Sequence, residues 1–209
     1  MLFETIVVGP LGVNCFILGD KQSNEGMIVD PGADCEMILA AVHHFGITVK
    51  YIVNTHGHFD HIGCNRTLKE KTGAQLLAHK EDVQFLVNAA RSAQKYGLTV
   101  ENSPEPDVFL TDGMKLELGR RVIEVLHTPG HTQGGCCLYL ANEKLVITGD
   151  TLFADSVGRT DLPGGSHDQL IQSIKAKLMP LPDDTVVWPG HGPSSTIGQE
   201  RSFNPYLNE

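Results

Sequence analysis

Thr55 His56 Gly57 His58 Phe59 Asp60 His61 follows closely on the short apolar run Tyr51 Ile52 Val53, and this stretch decides how the chain is read. A strand-like run that ends in three histidines and an aspartate is loaded with metal-type donors. In extended backbone, residues two apart point the same way, so His56 and His58 can grip one ion together while Gly57 permits a tight turn. Asp60 and His61 lie just beyond, where a chain bending into a helix can turn them to a second ion. Working outward, His131 (in Thr128 Pro129 Gly130 His131 Thr132), Asp150 (after Gly149) and His191 (between Gly190 and Gly192) stand at the ends of other strand-like runs or turns. His131 can reach the first ion, Asp150 has an oxygen for each, and His191 can complete the second. Nitrogen and carboxylate donors without thiolates suit a divalent ion kept open for chemistry, whereas structural zinc usually takes cysteines in a closed tetrahedron. The pattern points to hydrolytic metal catalysis.

Five of the ten histidines belong to this set. The others, His43, His44, His79, His127 and His167, read as ordinary surface or core residues, with His127 near enough to His131 in sequence to support it. Asp30, in Val29 Asp30 Pro31 Gly32, reads as a strand-end turn residue or as a carboxylate that orients a ligand histidine.

Strands and helices alternate along the rest of the chain. Strands are expected at 5–8 and 13–18 around the turn Gly9 Pro10 Leu11 Gly12, and again at 27–29. Asp34 is expected to cap a helix through about His44, with Gly46 as its stop. Helices are expected at 61–71 and 80–96, closed by Gly73 and Gly97, with a strand at 75–78 between them. After the break at Ser103 Pro104 Glu105 Pro106, strands are expected near 115–117, 122–126, 136–140, 145–147 and 185–188, with a helix at 166–178. Tyr51 Ile52 Val53 leads to His56 much as Val186 Val187 Trp188 leads to His191. Two such halves packed sheet to sheet, with helices outside, would bring these strand ends to one edge. No linker divides the chain, so a single domain over residues 1–209 is expected.

A chain of 209 residues can bury roughly 70% of its unfolded surface and needs no disulfide to stand. Its five cysteines are an odd number, and the neighbours Cys136 and Cys137 face opposite ways on a strand and cannot share a bridge. A reducing, cytoplasmic setting is the expectation. The first residues lack a basic region ahead of an apolar one, and no apolar run approaches the ~18 residues of a membrane span. Formal net charge is −9, from 16 Lys and Arg against 25 Asp and Glu, and the basic residues are scattered. Nucleic acid and membranes are therefore unexpected partners, whereas a small-molecule substrate fits.

Taken together, residues 55–61, Thr128 Pro129 Gly130 His131, Gly149 Asp150 Thr151 and Pro189 Gly190 His191 Gly192 resemble the metallo-β-lactamase superfamily, specifically its glyoxalase II (hydroxyacylglutathione hydrolase) branch in short bacterial form. The resemblance runs from about Val13 to Gly192. It implies an α+β fold, a four-layer αββα sandwich, and two divalent metal ions, zinc first, with iron or manganese as alternatives. By that resemblance His56, His58, His131 and Asp150 hold the first ion, and Asp60, His61, Asp150 and His191 the second. Two dications balanced by Asp60, Asp150 and a bridging hydroxide leave a site of about +1. A water pKa lowered from ~15.7 to ~7 corresponds to about 12 kcal/mol of ionisation. A side-chain base supplies roughly 3 to 5 kcal/mol, so the metals are expected to make the nucleophile.

Thioesters such as S-lactoylglutathione fit this chemistry, because a thiolate of pKa ~8.5 leaves without a proton whereas an amide nitrogen does not. Asp60 can still serve as an acid. Longer glyoxalase II enzymes hold glutathione with a basic helical extension, which the residues 192–209 that follow His191 are too few to form. Family members also use a lysine and tyrosines near the metals. Here Pro193 follows Gly192, and Arg159, in Gly158 Arg159 Thr160 Asp161, is expected either to clamp a substrate carboxylate or to pair with Asp155 or Asp161. The helix at 80–96 can wall the cleft with Phe85, Leu86 or Tyr96, or simply pack into the core. The alternatives are a persulfide dioxygenase with one iron on His56, His131 and Asp150, a lactonase or other small-ester hydrolase, and a non-catalytic metal-binding protein.

Overall fold

Every residue of the strand Val13–Gly19 is buried, yet its side chains serve two different cores. Successive side chains of an extended chain point to opposite faces, so Phe16 and Leu18 enter one apolar cluster while Cys15 and Ile17 enter another. A strand covered on both faces belongs in the middle of a stack of layers. The computed structural model, which describes residues 1–208, has that architecture.

The first half supplies β1 (Leu2–Val8), β2 (Val13–Gly19), β3 (Glu25–Val29), α1 (Cys35–Phe45), β4 (Thr48–Val53), α2 (Phe59–Ile62), α3 (Asn65–Thr72), β5 (Gln75–His79), α4 (Val83–Val87), α5 (Ala89–Gln94) and β6 (Val108–Leu110). The second supplies β7 (Lys115–Leu118), β8 (Arg121–His127), β9 (Cys136–Leu140), β10 (Leu145–Gly149), β11 (Leu152–Phe153), β12 (Ser156–Val157), α6 (His167–Ser173), β13 (Val186–Pro189), β14 (Ser195–Thr196) and α7 (Ile197–Phe203). One six-stranded sheet runs β1-β2-β3-β4-β5-β6 and the other β14-β13-β10-β9-β8-β7. In the first, β3 to β6 are parallel, and helices make the crossovers that parallel neighbours require.

Phe16, Leu18, Val29 and Val53 from the first sheet meet Ile123, Leu138 and Ile147 from the second in the cluster between the sheets. On the outer face of the first sheet, Ile17, Ile28, Ile52 and Leu76 pack against Ile38 and Val42 of α1 and Leu68 of α3. Outside the second, Val146 and Val187 pack against Leu170, Ile174 and Leu178. The result is the α+β, four-layer αββα sandwich, with each fully buried leucine or isoleucine contributing about 2 kcal/mol.

Several local expectations are corrected. Asp34 does not cap α1: it adopts φ 56° and its carboxylate accepts from the Gly9 amide instead. The helix expected at 61–71 is split into α2 and α3, because the Cys64 amide donates to Pro31 O. The helix expected at 80–96 is a 3-10 turn (Lys80–Asp82) followed by α4 and α5. At the second break, the Asn88 side-chain amide donates to Gln84 O and competes with the helical ladder. The short elements β6, β11, β12, β14 and α7 are additional to those expected.

Cys35 and Cys64 form a disulfide across 29 residues, while Cys15, Cys136 and Cys137 are free and buried. This corrects the expectation of reduced cysteines: the pair meets only because α1 and the α2–α3 junction pack together, which local spacing does not reveal. The bond ties the Asp30–Asp34 loop to the segment three residues after His61. No helix among the described residues is long and apolar enough to cross a membrane.

Closing a loop of this length stabilises a fold by about 3 kcal/mol through the unfolded chain. A Cys35→Ser/Cys64→Ser variant, melted metal-free in a calorimeter, should unfold roughly 6 to 12 °C lower. An unchanged Tm would remove the bond from the account of stability.

Candidate metal centre

The ends of β4, β10 and β13 and the turn between β8 and β9 converge at one edge of the sandwich. Thr55, His56, His61 and His131 are buried there. Gly57 has an ordinary negative φ, so a tight left-handed turn is not what demands glycine here. Space is: a Cβ at Gly57 would lie 2.9 Å from Asp82 O and from Phe85.

All seven residues read as ligands are brought together, in two groups. His56, His58 and His131 form one, and Asp60, His61 and His191 the other, with one donor atom from each residue within 4.8 Å of its partners. His131 Nε2 lies 2.9 Å from His58 Nδ1, and His61 Nε2 lies 3.3 Å from His191 Nε2. Asp150 stands between the groups. Its Oδ1 is 3.4 Å from His61 Nε2, and its Oδ2 is 3.6 Å from His131 Nε2 and 3.8 Å from His191 Nε2.

Tautomers are set from outside the cluster. His131 Nδ1 donates to Arg159 O at 2.7 Å, His61 Nδ1 to Asp30 Oδ2 at 3.0 Å, and His191 Nδ1 to Leu11 O at 3.1 Å. Each Nε2 is thereby turned inward, toward the other donors. Asp30 is thus an orienting carboxylate as well as a strand-end residue. It also accepts from Thr55 N and Thr55 Oγ1 at 2.7 and 2.6 Å. His56 Nε2 and Asp150 Oδ1 are buried without a hydrogen-bond partner among the described residues. A buried imidazole nitrogen and a buried carboxylate oxygen left unpaired are unfavourable unless positive charge is brought to them, and the ring nitrogens of the neutral His58 and of His131 approach to 2.9 Å beside them, so the donor set fits divalent cations.

Burial and the neighbouring imidazoles push His56 well below the usual histidine range, and burial together with His131 lowers His58 to about 3. Both are neutral donors at neutral pH. The other group behaves differently. Burial opposes charge on His61, but Asp150, Asp60 and Asp30 outweigh it and raise its pKa to about 10. His191 is also raised: burial opposes this, but the Asp60 hydrogen bond and Asp150 outweigh it. Burial would raise Asp60, yet His61 and the His191 hydrogen bond hold it well below the carboxylate range.

The donors open into a cavity of about 530 Å³ lined by Phe85, Lys95, Tyr96, Phe153, Arg159 and Leu162 among others. Phe85 and Tyr96 therefore wall the cleft, whereas Leu86 packs into the core with Phe59 and Ile62. Arg159 reaches the cavity but its guanidinium is also held by Asp161 at 2.7 and 2.8 Å. His127 stacks on His79 with ring centroids 4.2 Å apart and donates to Gln133 O, so it does not support His131. His43, His44 and His167 are exposed. Sequence reasoning missed Asp82, one of two adjacent acidic residues at a helix start that carry no local signal.

The metallo-beta-lactamase superfamily model matches residues 8–191. The chain belongs to this superfamily. It is a metal-dependent hydrolase of that group, with His and Asp clusters suited to divalent metals. It is 38% identical to hydroxyacylglutathione hydrolase GloC of Haemophilus influenzae, an alignment covering 100% of this chain and 99% of that one. The crystal structure of BLEG-1 B3 metallo-beta-lactamase matches with TM-score 0.93 and 36% identity, covering 100% of both chains. TTHA1623 in a di-iron-bound form matches with TM-score 0.90 and 36% identity, covering 98% of this chain and 100% of that one.

A cation entering the Asp60, His61 and His191 group must displace the His61 proton, so affinity there rises with pH, about tenfold per unit, and levels off near pH 10. Titrating metal-free protein with zinc at pH 7.5 in buffers of different ionisation enthalpy should release at least about one proton per chain. Zero release would contradict this charge assignment.

Proposed function

We propose that the protein is a dinuclear metal-dependent hydrolase of thioesters such as S-lactoylglutathione. In this reading His56, His58, His131 and Asp150 hold one divalent cation and Asp60, His61, Asp150 and His191 hold the other. The observation that carries it is the position of Asp150, whose two oxygens lie within 3.4–3.8 Å of imidazole nitrogens from both groups. Zinc is the proposed occupant, with the di-iron form of TTHA1623 making iron the alternative that metal analysis must separate. When bound, such a pair supplies Lewis acidity and lowers the pKa of water from ~15.7 to ~7.

The chain's own residues do the rest. The outward hydrogen bonds of His61, His131 and His191 hold the imidazoles in one tautomer, so no reorientation accompanies substrate entry. Asp60 lines the cavity and is kept ionised by His61 and His191, so it would hold the second cation and accept a hydrogen bond from the attacking water, while the ionisation of that water is left to the metals. Phe85 and Tyr96 shield the acyl carbon from bulk water. Lys95 and Arg159 place positive charge along the cavity for a glutathione carboxylate, with two hydrogen bonds to Asp161 holding the Arg159 guanidinium. A thioester suits this arrangement because its leaving thiolate needs no dedicated acid. The similarity to the enzyme named hydroxyacylglutathione hydrolase GloC supports the same substrate class.

The test is hydrolysis of S-lactoylglutathione by protein of measured metal content, beside His58→Ala and Asp150→Ala. Both variants should lose at least about 10²-fold in kcat/KM together with bound metal. Full turnover by metal-stripped protein would overturn the reading. So would one iron per chain with oxygen uptake on glutathione persulfide, or turnover confined to lactones or β-lactams.

A further inference from the structure

We infer that Asp82 is the positioning residue that sets the geometry of His56, His58 and His131, by clasping the two loops that carry them. The inference rests on the metal-centre reading above. Asp82 is completely buried and follows β5 of the first sheet. It occupies the start of α4 but makes no capping hydrogen bond there. Its carboxylate is committed elsewhere: Oδ2 accepts from Gly57 N and from Thr132 Oγ1, both at 2.8 Å, and Oδ1 accepts from Gly134 N at 2.8 Å.

Gly57 separates His56 from His58, and Thr132 adjoins His131. One side chain therefore joins a loop from the first sheet to a loop from the second, and those loops supply the three nitrogens of a single donor group. Three donors on two oxygens require a carboxylate. An asparagine at this position keeps one acceptor and turns an N–H toward donors, while a protonated acid does the same with its O–H. The approach is close enough that a Cβ at Gly134 would lie 2.5 Å from Asp82 Cγ, so the clasp also accounts for glycine there. None of these partners is itself a metal-type donor, which distinguishes Asp82 from Asp30, whose oxygen bonds a ligand imidazole directly.

The decisive comparison is the whole chain against Asp82→Asn, with cobalt titrated into metal-free protein and followed by its visible absorption. Asp82→Asn should weaken cobalt at the His56, His58 and His131 group by about 10- to 100-fold and alter the absorption of that ion, with the Asp60, His61 and His191 group unchanged. Restoring the carboxylate one methylene out, in Asp82→Glu, should recover part of the loss. If Asp82→Asn fails to fold, Thr132→Val removes one of the three hydrogen bonds and keeps the charge; it should weaken the same group by up to about tenfold and spare the other. Equal weakening of both groups, or parental affinity and spectrum in the folded variants, would overturn the inference. A parent chain that takes up no second ion would instead overturn the dinuclear reading, so the two failures are distinguishable.

Discussion

The inner faces of the two sheets leave water by packing against one another, and that single contact decides where the chain's donors meet. Phe16, Leu18 and Val53 face Ile123, Leu138 and Ile147 across it. Once that layer closes, the ends of β4, β10 and β13 share an edge, and residues nearly a hundred positions apart become neighbours. Asp150 and His61 are within 3.4 Å for this reason and no local one. The helices then act as covers, burying the faces that the inter-sheet contact leaves exposed.

Gathering five imidazoles and several carboxylates in one buried corner opposes folding, because desolvation penalises every charge brought there. The structure answers by dividing the labour. His56 and His58 stay neutral, so their burial costs little beyond their lost hydrogen bonds to water. His61 instead carries charge against Asp30, Asp60 and Asp150, a compensated cluster in the metal-free protein. Around both lies a ring of groups that hold the loops and rings in place: Asp30, Asp82, Leu11 O and Arg159 O.

What can be read from the chain alone follows from how far the information travels. Glycine-flanked histidines at strand ends are local signals, so the seven donors and the alternation of strands and helices are legible in the sequence. The four-layer sandwich is legible through the motifs in which those residues sit. Helix interiors near the site are not: α2 stops because Cys64 N turns to Pro31 O, and α4 starts without its cap because Asp82 serves Gly57 and Gly134. Those partners come from distant segments. The same holds for the Cys35–Cys64 pair, for the His79–His127 stack, and for α7, whose buried Glu200 holds the Asp155 amide of the β11–β12 hairpin.

The Cys35–Cys64 bond closes a covalent ring of backbone that contains β4 and four of the seven donors: His56, His58, Asp60 and His61. These four lie within six consecutive residues and stay together in the denatured chain with or without the bond; what the bond adds is that β4 and the chain around it remain in a cyclic peptide of restricted span. A denatured state that retains some hold on divalent cations narrows the difference in cation binding between the two states, and with it the stabilisation that added metal can provide. Opening the ring forfeits the cross-link stability and releases two thiols, which give the unfolded chain a further hold on divalent cations.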